Sequence, residues 1–248
     1  RIAVFYDKAK RSFNVGFRQK GLKKIVDISQ CDVLDIRYQA VFREFSSLLP
    51  QLKNGQAITH LQLCGVEHAY LVVRHIAPLA ASDIAAIERV CLAHQWLLVL
   101  QGQAGELELN DLALPSYQLS EQSLRFEFGL NNFIQVNAEV NQHMLSQAIN
   151  WLALDKNEKV LDLFCGIGNF SLVMATKAQA VVGVEGVESS VQMAQHNSAL
   201  NQLSNTQCYC QDLSQDMASQ EWFSEHYDVL VLDPSRTGAF EILQQLKL

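Results

Sequence analysis

Two glycines one residue apart follow a short apolar run in Val160-Leu161-Asp162-Leu163-Phe164-Cys165-Gly166-Ile167-Gly168-Asn169-Phe170. Glycines at such a turn let the backbone bend sharply and approach a ligand closely. A dinucleotide fingerprint needs a third glycine, for packing of the following helix on the strand. Ser171 stands there instead, so the fingerprint is incomplete. Asp162, just ahead of the loop, suits a ligand with a positive group such as an ammonium or a sulfonium. Glu185 follows Gly166 by 19 residues. An acid at that distance accepts hydrogen bonds from both hydroxyls of a ribose. NAD and S-adenosylmethionine both carry that ribose, so Glu185 alone does not choose between them. Asp212 and Asp233 close the next two apolar runs. Either one alone is a common turn or cap residue. Four acids at strand ends along one rim are more specific, and they point to S-adenosylmethionine. Asp212 is expected to accept from the adenine amino group. Asp233-Pro234 is expected where a methyl acceptor meets the donor. An amino-methylating enzyme would place an aromatic residue after the proline, whereas Ser235 and Arg236 follow here.

These residues need a scaffold that lines up strand ends. From residue 140 onward strands and helices alternate: helix Val140–Leu152, strand Val160–Phe164, helix Phe170–Lys177, strand Ala180–Val184, helix Ser189–Asn201, strands Thr206–Cys210 and Val229–Asp233. Such alternation predicts a parallel sheet with helices on both faces and a ligand at the carboxyl ends of its strands. The first half differs. Ile2, Val4 and Tyr6, then Phe13, Val15 and Phe17, alternate as strands around a polar turn, and Ile25–Ile28 is a further short run. Helical spacing over Val33–Leu52 predicts a helix ended by Pro50, and Ser82–His94 a second one with Ser82 as N-cap. His60–Cys64, Ala69–Arg74 and Trp96–Leu100 read as strands. The expected fold class is therefore α/β, a Rossmann-like sheet over 121–248 preceded by a small α+β domain over 1–120.

A chain 49% hydrophobic and 18% charged can bury a real core. No apolar run is long enough to span a bilayer. Six scattered cysteines without a CxxC pair argue against a zinc ribbon and for a reducing, cytoplasmic setting. The net charge of −7 hides a basic end, where Arg1, Lys8, Lys10, Arg11, Arg18, Lys20, Lys23 and Lys24 face Asp7 alone. That end reads either as a nucleic-acid contact or as a solvated hairpin. Phe5, Tyr6, Phe13 and Phe17 could stack on unpaired bases, although core packing is the commoner use. Cys208 and Cys210 alternate along a strand and are expected in the core.

Together, Asp162–Phe170, the turn Gly183-Val184-Glu185-Gly186, the run Leu232–Gly238 and Phe133-Ile134-Gln135-Val136-Asn137 resemble the RNA uracil-5 methyltransferases. The likeness is strongest to the bacterial large-subunit rRNA branch and extends through Val15–Gly21 and Val73–Leu79. Ser235 departs from the usual proline or alanine of the last motif, and Asp212 stands where relatives can carry Asn. The resemblance implies a class I S-adenosylmethionine methyltransferase fold and 23S rRNA as partner. It implies cofactor contacts at Gln135, Phe164, Asn169, Glu185, Asp212 and Asp233, joined by Gly166 and Gly168 of the loop. It also implies that Cys31 is the last of four cysteines holding a [4Fe–4S] cluster in the full-length parent. Taken alone, Cys31 reads as a small buried hydrophobe. A cluster normally needs four thiolates, so none is expected in this chain. In the family a Cys thiolate adds to uracil C6, C5 attacks the methyl group, and a base removes the C5 proton. Both groups would lie past Leu248 and Cys165 would not substitute, so this chain is expected to bind cofactor without methylating. Arg1 in place of Met likewise reads as a fragment. The tRNA-directed branch is the near alternative. An NAD-dependent oxidoreductase and a non-catalytic RNA-binding module are the alternatives of other classes.

Overall fold

In the computed structural model, which describes residues 1–22, 24–102, 107–108, 113–236 and 238–246, the chain folds as two compact units, Arg1–Pro115 and Ser116–Leu248. The alternating apolar residues of the first form β1 (Ile2–Asp7) and β2 (Ser12–Arg18). Asp7 closes the turn between them by accepting from the backbone N–H groups of Ala9 and Lys10. β3 (Ile25–Asp27), β4 (Ile58–Cys64), β5 (Ala69–His75), β6 (Trp96–Gln101) and β7 (Leu107–Glu108) complete one sheet, ordered β3-β2-β1-β4-β5-β6-β7. Only β5 and β6 run parallel. Parallel neighbours need a crossover, and α2 (Ala81–Ala93) supplies it. α1 (Val41–Leu48) contributes Val41, Phe42 and Phe45, each at most 1% exposed, to a core with Ile2, Val4, Val15, Leu61, Leu71, Val73 and Ile87.

Two expectations for this unit are corrected. The helix predicted over Val33–Leu52 is α-helical only from Val41 to Leu48. Ahead of it, Asp35 accepts from Arg37 N and caps a 3-10 turn, Ile36–Tyr38. The Tyr38 hydroxyl donates to Cys64 O at the end of β4, which anchors that turn before the helix begins. Val33, where the predicted helix was to begin, and Ile36 lie almost fully in solvent. Ser82 is not the N-cap of α2. Ala80 holds that place without a side-chain bond, and Ser82 sits in the first turn.

The second unit starts at Ser116, not at 121, because β8 (Ser116–Leu119) pairs with β9 (Leu124–Glu127). Tyr117 stacks on Phe126 with ring centroids 5.0 Å apart. α3 (Ala138–Leu152) follows, with Asn137 as N-cap accepting from Val140 N. Then come β10 (Lys159–Leu163), α4 (Ser171–Ala175), β11 (Ala180–Glu185), α5 (Glu188–Leu200), β12 (Thr206–Cys210), β13 (Val229–Leu232) and α6 (Phe240–Gln245). The four strands form an all-parallel sheet ordered β12-β11-β10-β13. Their side chains alternate between two cores. Leu161, Leu163, Val182 and Val184 meet Met217, Trp222 and Ile242 on one face. Val160 and Val181 meet Met174 and Ala175 on the other. β13 pairs with β10 alone among the described residues, and all four of its residues are half-buried.

Asp83 of α2 is only 2% exposed, and its carboxylate takes the backbone N–H groups of Lys53 and Asn54. Asp83→Ala leaves both donors without that partner and is expected to lower stability by about 2 kcal/mol. Urea unfolding measures this, and an unchanged midpoint would show that the bonds contribute nothing.

Candidate functional site

Where β10 ends, the backbone must leave the sheet and open a helix within a few residues. Phe164 does so at φ 68°, Gly166 at φ 57° and Gly168 at φ 89°, all left-handed. Only glycine takes that conformation without strain, so Phe164 needs support. Val184 O on β11 supplies it by accepting from both Phe164 N (2.8 Å) and Cys165 N (3.1 Å). The Glu185 carboxylate continues the pattern with Gly166 N at 3.1 Å on one oxygen and Val187 N at 2.9 Å on the other. Each oxygen keeps a further lone pair for an outside donor.

Beneath the loop, β11 passes at Gly183. A Cβ there would stand 2.9 Å from the Cys165 sulfur and 3.2 Å from Ser171 Oγ. Ser171 Oγ in turn donates to Asp162, which is 1% exposed. Burial, partly offset by that bond, pushes the Asp162 carboxyl up to about 7, with Asp233 and Glu185 adding repulsion. Cys165 is also buried beside Cys208, and its Sγ donates to Gly166 O at 3.8 Å. The neighbouring Cys208 thiol and burial hold the Cys165 thiol well above its ordinary value, so it stays neutral and is a poor nucleophile. Cys208 is half-buried as part of this pair, whereas Cys210 is exposed, against the expectation that both lie in the core.

A cleft of about 890 Å³ opens over the carboxyl ends of β10–β13. Gln135, Phe164, Gly166, Asn169, Glu185, Asp212 and Asp233 all line it. Gly168 is not among the lining residues. Its hydrogen faces Leu172, where a Cβ would come within 2.4 Å of Cδ1, so it serves helix packing instead. Asp212 is held by its own turn, with Oδ1 accepting from Ser214 N (3.0 Å) and Ser214 Oγ (2.8 Å). Those bonds lower its pKa and keep it a charged acceptor.

Three residues of this neighbourhood escape the sequence reading. Asn169 and Asn141 of α3 bond reciprocally through their carboxamides at 2.9 and 3.1 Å, and the Tyr117 hydroxyl donates to Asn169 Oδ1 at 2.9 Å. Asn141 is 3% exposed and Tyr117 6%. A buried Asn amid an amphipathic helix is the available signal for the first, and the alternation across Ser116–Phe128 for the second. The third, Asn197 of α5, is fully buried and donates through Nδ2 to Ile167 O at 3.3 Å. Cys31 lies in the first unit and packs against its apolar core, with its backbone bonded to the Gln39 side chain. Among the described residues no group of three His, Cys, Asp or Glu side chains could hold a metal ion. Cys31 therefore has no companion ligands for a [4Fe–4S] cluster within the described chain.

An all-parallel sheet with a glycine loop after β10 and acids closing the following strands is the class I methyltransferase architecture. The family profile described as tRNA (Uracil-5-)-methyltransferase matches residues 101–234, more than half of the chain. The chain belongs to this uracil-5 methyltransferase family. It is 49% identical over its whole length to the 23S rRNA (uracil(1939)-C(5))-methyltransferase RlmD of Pseudoalteromonas translucida, covering 56% of that protein. It is 44% identical to the protein of the same name from Shewanella amazonensis, again covering 56%. The chain thus spans a little over half the length of these relatives. Among solved structures it is similar to the Pyrococcus abyssi tRNA (uracil-54, C5)-methyltransferase in complex with S-adenosyl-L-homocysteine. The TM-score is 0.74 at 16% identity, over 98% of this chain and 61% of that one, a likeness of fold.

The raised Asp162 value has a stability consequence. The folded protein holds this proton more tightly than the unfolded chain, whose value lies near 3.8. Its contribution is therefore fully present below about pH 4 and is lost as pH rises through 7. Asp162→Asn should flatten that slope in urea unfolding between pH 4 and 8; a slope equal to the unaltered protein's would refute it.

Proposed function

We propose that the second unit binds S-adenosylmethionine and is the methyl-donor half of an enzyme that methylates C5 of a uridine in 23S rRNA. The observation that carries this reading is the row of carboxylates, Glu185, Asp212 and Asp233, along one cleft above a glycine loop. Glu185, already fixed by two backbone bonds, takes the ribose hydroxyls. Asp212, charged and held by Ser214, takes the adenine amino group. Asp233 and Pro234 border the place for the methyl group and the base it reaches. Asn169 and Gln135 supply amide donors, which suit the cofactor carboxylate. The negative rim as a whole favours a sulfonium ligand over a phosphate-bearing one, which weighs against NAD. The cofactor supplies the activated methyl group, and the protein's part is to orient it and exclude water.

Among the described residues Cys165 is the one cysteine lining the cleft. Its neutral, buried thiol does not fit the role of the nucleophile that adds to uracil C6. Among the described residues Cys31 stands without companion ligands, which does not fit an iron–sulfur cluster. The likeness to rRNA-modifying relatives runs the whole length of the chain, and it favours 23S rRNA over tRNA as substrate. Six free thiols suit a reducing cytoplasm, and among the described residues no helix is long and apolar enough to cross a membrane.

The first unit is the RNA-contacting part of this reading. Lys8, Lys10 and Arg11 are exposed in the β1–β2 turn, while Lys23 lies outside the described residues. On the sheet, Arg74 stands opposite His60 across β4 and β5; burial lowers the His60 pKa, and the charges of Arg18, Arg74 and Arg1 lower it further. Such a positive surface suits phosphates. Of the four candidate stacking aromatics, Tyr6 and Phe13 pair with each other and Phe17 packs edge-on against Phe42. Phe5, 54% exposed, remains available to a base.

Calorimetry with S-adenosylhomocysteine tests the cofactor site. Glu185→Ala is expected to weaken binding at least tenfold, and equal affinity would remove Glu185 from the site. A Lys10→Ala/Arg11→Ala double variant is expected to lower the salt slope of rRNA binding by about 1.5. S-adenosylhomocysteine affinity should stay unchanged, and an unaltered slope would count against the hairpin as an RNA contact.

A further inference from the structure

Among the described residues β9 has one strand neighbour, β8. On α5 two asparagines take the place of a second. Asn201 Oδ1 accepts from Arg125 N at 2.8 Å, and its Nδ2 donates to Arg125 O at 2.6 Å. One helical turn earlier, Asn197 Oδ1 accepts from Glu127 N at 2.8 Å, and its Nδ2 donates to Glu127 O at 2.9 Å. A carboxamide offers a donor and an acceptor side by side, as a peptide unit does. Residues four apart on a helix rise by about 6 Å, and alternate residues of a strand by roughly 6.7 Å. The two repeats match closely enough for the helix to act as an edge strand. Further along the same segment, Asn132 accepts from Gly129 N and donates to Ser190 Oγ at the start of α5. The chain then enters the cleft at Phe133–Gln135.

Asn197 differs from Asn201 in burial and in its second acceptor. It is fully buried and its Nδ2 also donates to Ile167 O at 3.3 Å, whereas Asn201 is half-buried and its Nδ2 also donates within the helix, to Asn197 O at 2.7 Å. Ile167 sits between Gly166 and Gly168, both left-handed, so no regular ladder holds its carbonyl. The loop is thus pinned from two directions, by Glu185 at Gly166 N and by Asn197 at Ile167 O.

We propose that Asn197 is a positioning residue of the cofactor cleft, fixing the glycine loop and the β9 segment that leads Gln135 into it. This rests on the reading that the cleft takes S-adenosylmethionine. Asn201→Ala is a matched control, because it removes the same pair of bonds to β9 and leaves Ile167 untouched. Thermal midpoints and S-adenosylhomocysteine affinity are measured on the full chain for both variants. Both midpoints are expected to fall by similar amounts. Asn197→Ala should raise Kd about tenfold, or ~1.4 kcal/mol, while Asn201→Ala should raise it less than threefold. Asn197→Leu keeps the side-chain volume but has no donor for Ile167 at any pH. It should behave like Asn197→Ala, and it carries the comparison if the alanine variant does not fold. Equal weakening by the 197 and 201 variants, or no weakening at 197, would overturn the proposal and leave a purely structural role. Failure of the unaltered chain to bind S-adenosylhomocysteine would instead overturn the cofactor reading itself, and this proposal with it.

Discussion

The turn after β10 is the constraint on which the second unit depends. It places three left-handed residues within five, and one of them is Phe164. A side chain in that conformation costs roughly 1–2 kcal/mol. The bonds that offset this cost come from β11: the Val184 carbonyl takes two loop N–H groups, and the Glu185 carboxylate takes a third. Glu185 therefore serves the loop and the cleft at once. A change there alters both the shape of the floor and the acceptor facing a ligand. The strained backbone borders the cleft, and clefts of this kind are where such strain clusters.

Packing under the loop shows why the absent third glycine does no harm. In a dinucleotide fingerprint that glycine makes room for the helix against the strand. Here Ser171 occupies the position, and the room comes from the other side, through Gly183 of β11. The exchange puts a hydroxyl beside a buried carboxyl, and Ser171 accordingly donates to Asp162. A proton on Asp162 near neutral pH also limits repulsion with Glu185 and Asp233. The rim can then carry several acids without a buried unpaired charge beneath them.

The first unit divides its labour by face. Its helices and the inner side chains of the strands make one apolar core. The opposite side of the sheet carries Arg1, Arg18 and Arg74, whose charges act on His60, with Phe5 in solvent. Strand alternation sends successive side chains to opposite faces. One short stretch of sequence can therefore supply both a core and a charged surface.

Much of this was legible in the residues alone. The glycine loop, the four acids and the alternation of strands and helices are local patterns, and they suffice to put Glu185, Asp212 and Asp233 along one rim of the sheet. Local patterns report the period of burial and little else. For that reason the helix over Val33–Leu52 read too long, since apolar spacing cannot register that Tyr38 is anchored to Cys64. The same limit hid the contact of Gly168 with Leu172, the placing of Cys165 beside Cys208, and the asparagines at 141 and 197. Those roles rest on single hydrogen bonds and close contacts; Asn141 meets Asn169 across 28 positions, and Asn197 meets Glu127 across 70. The sequence by itself determined which residues could meet a cofactor. Only the tertiary structure decided which residues hold them in place, because a side-chain amide acquires its partner only when distant segments are packed together.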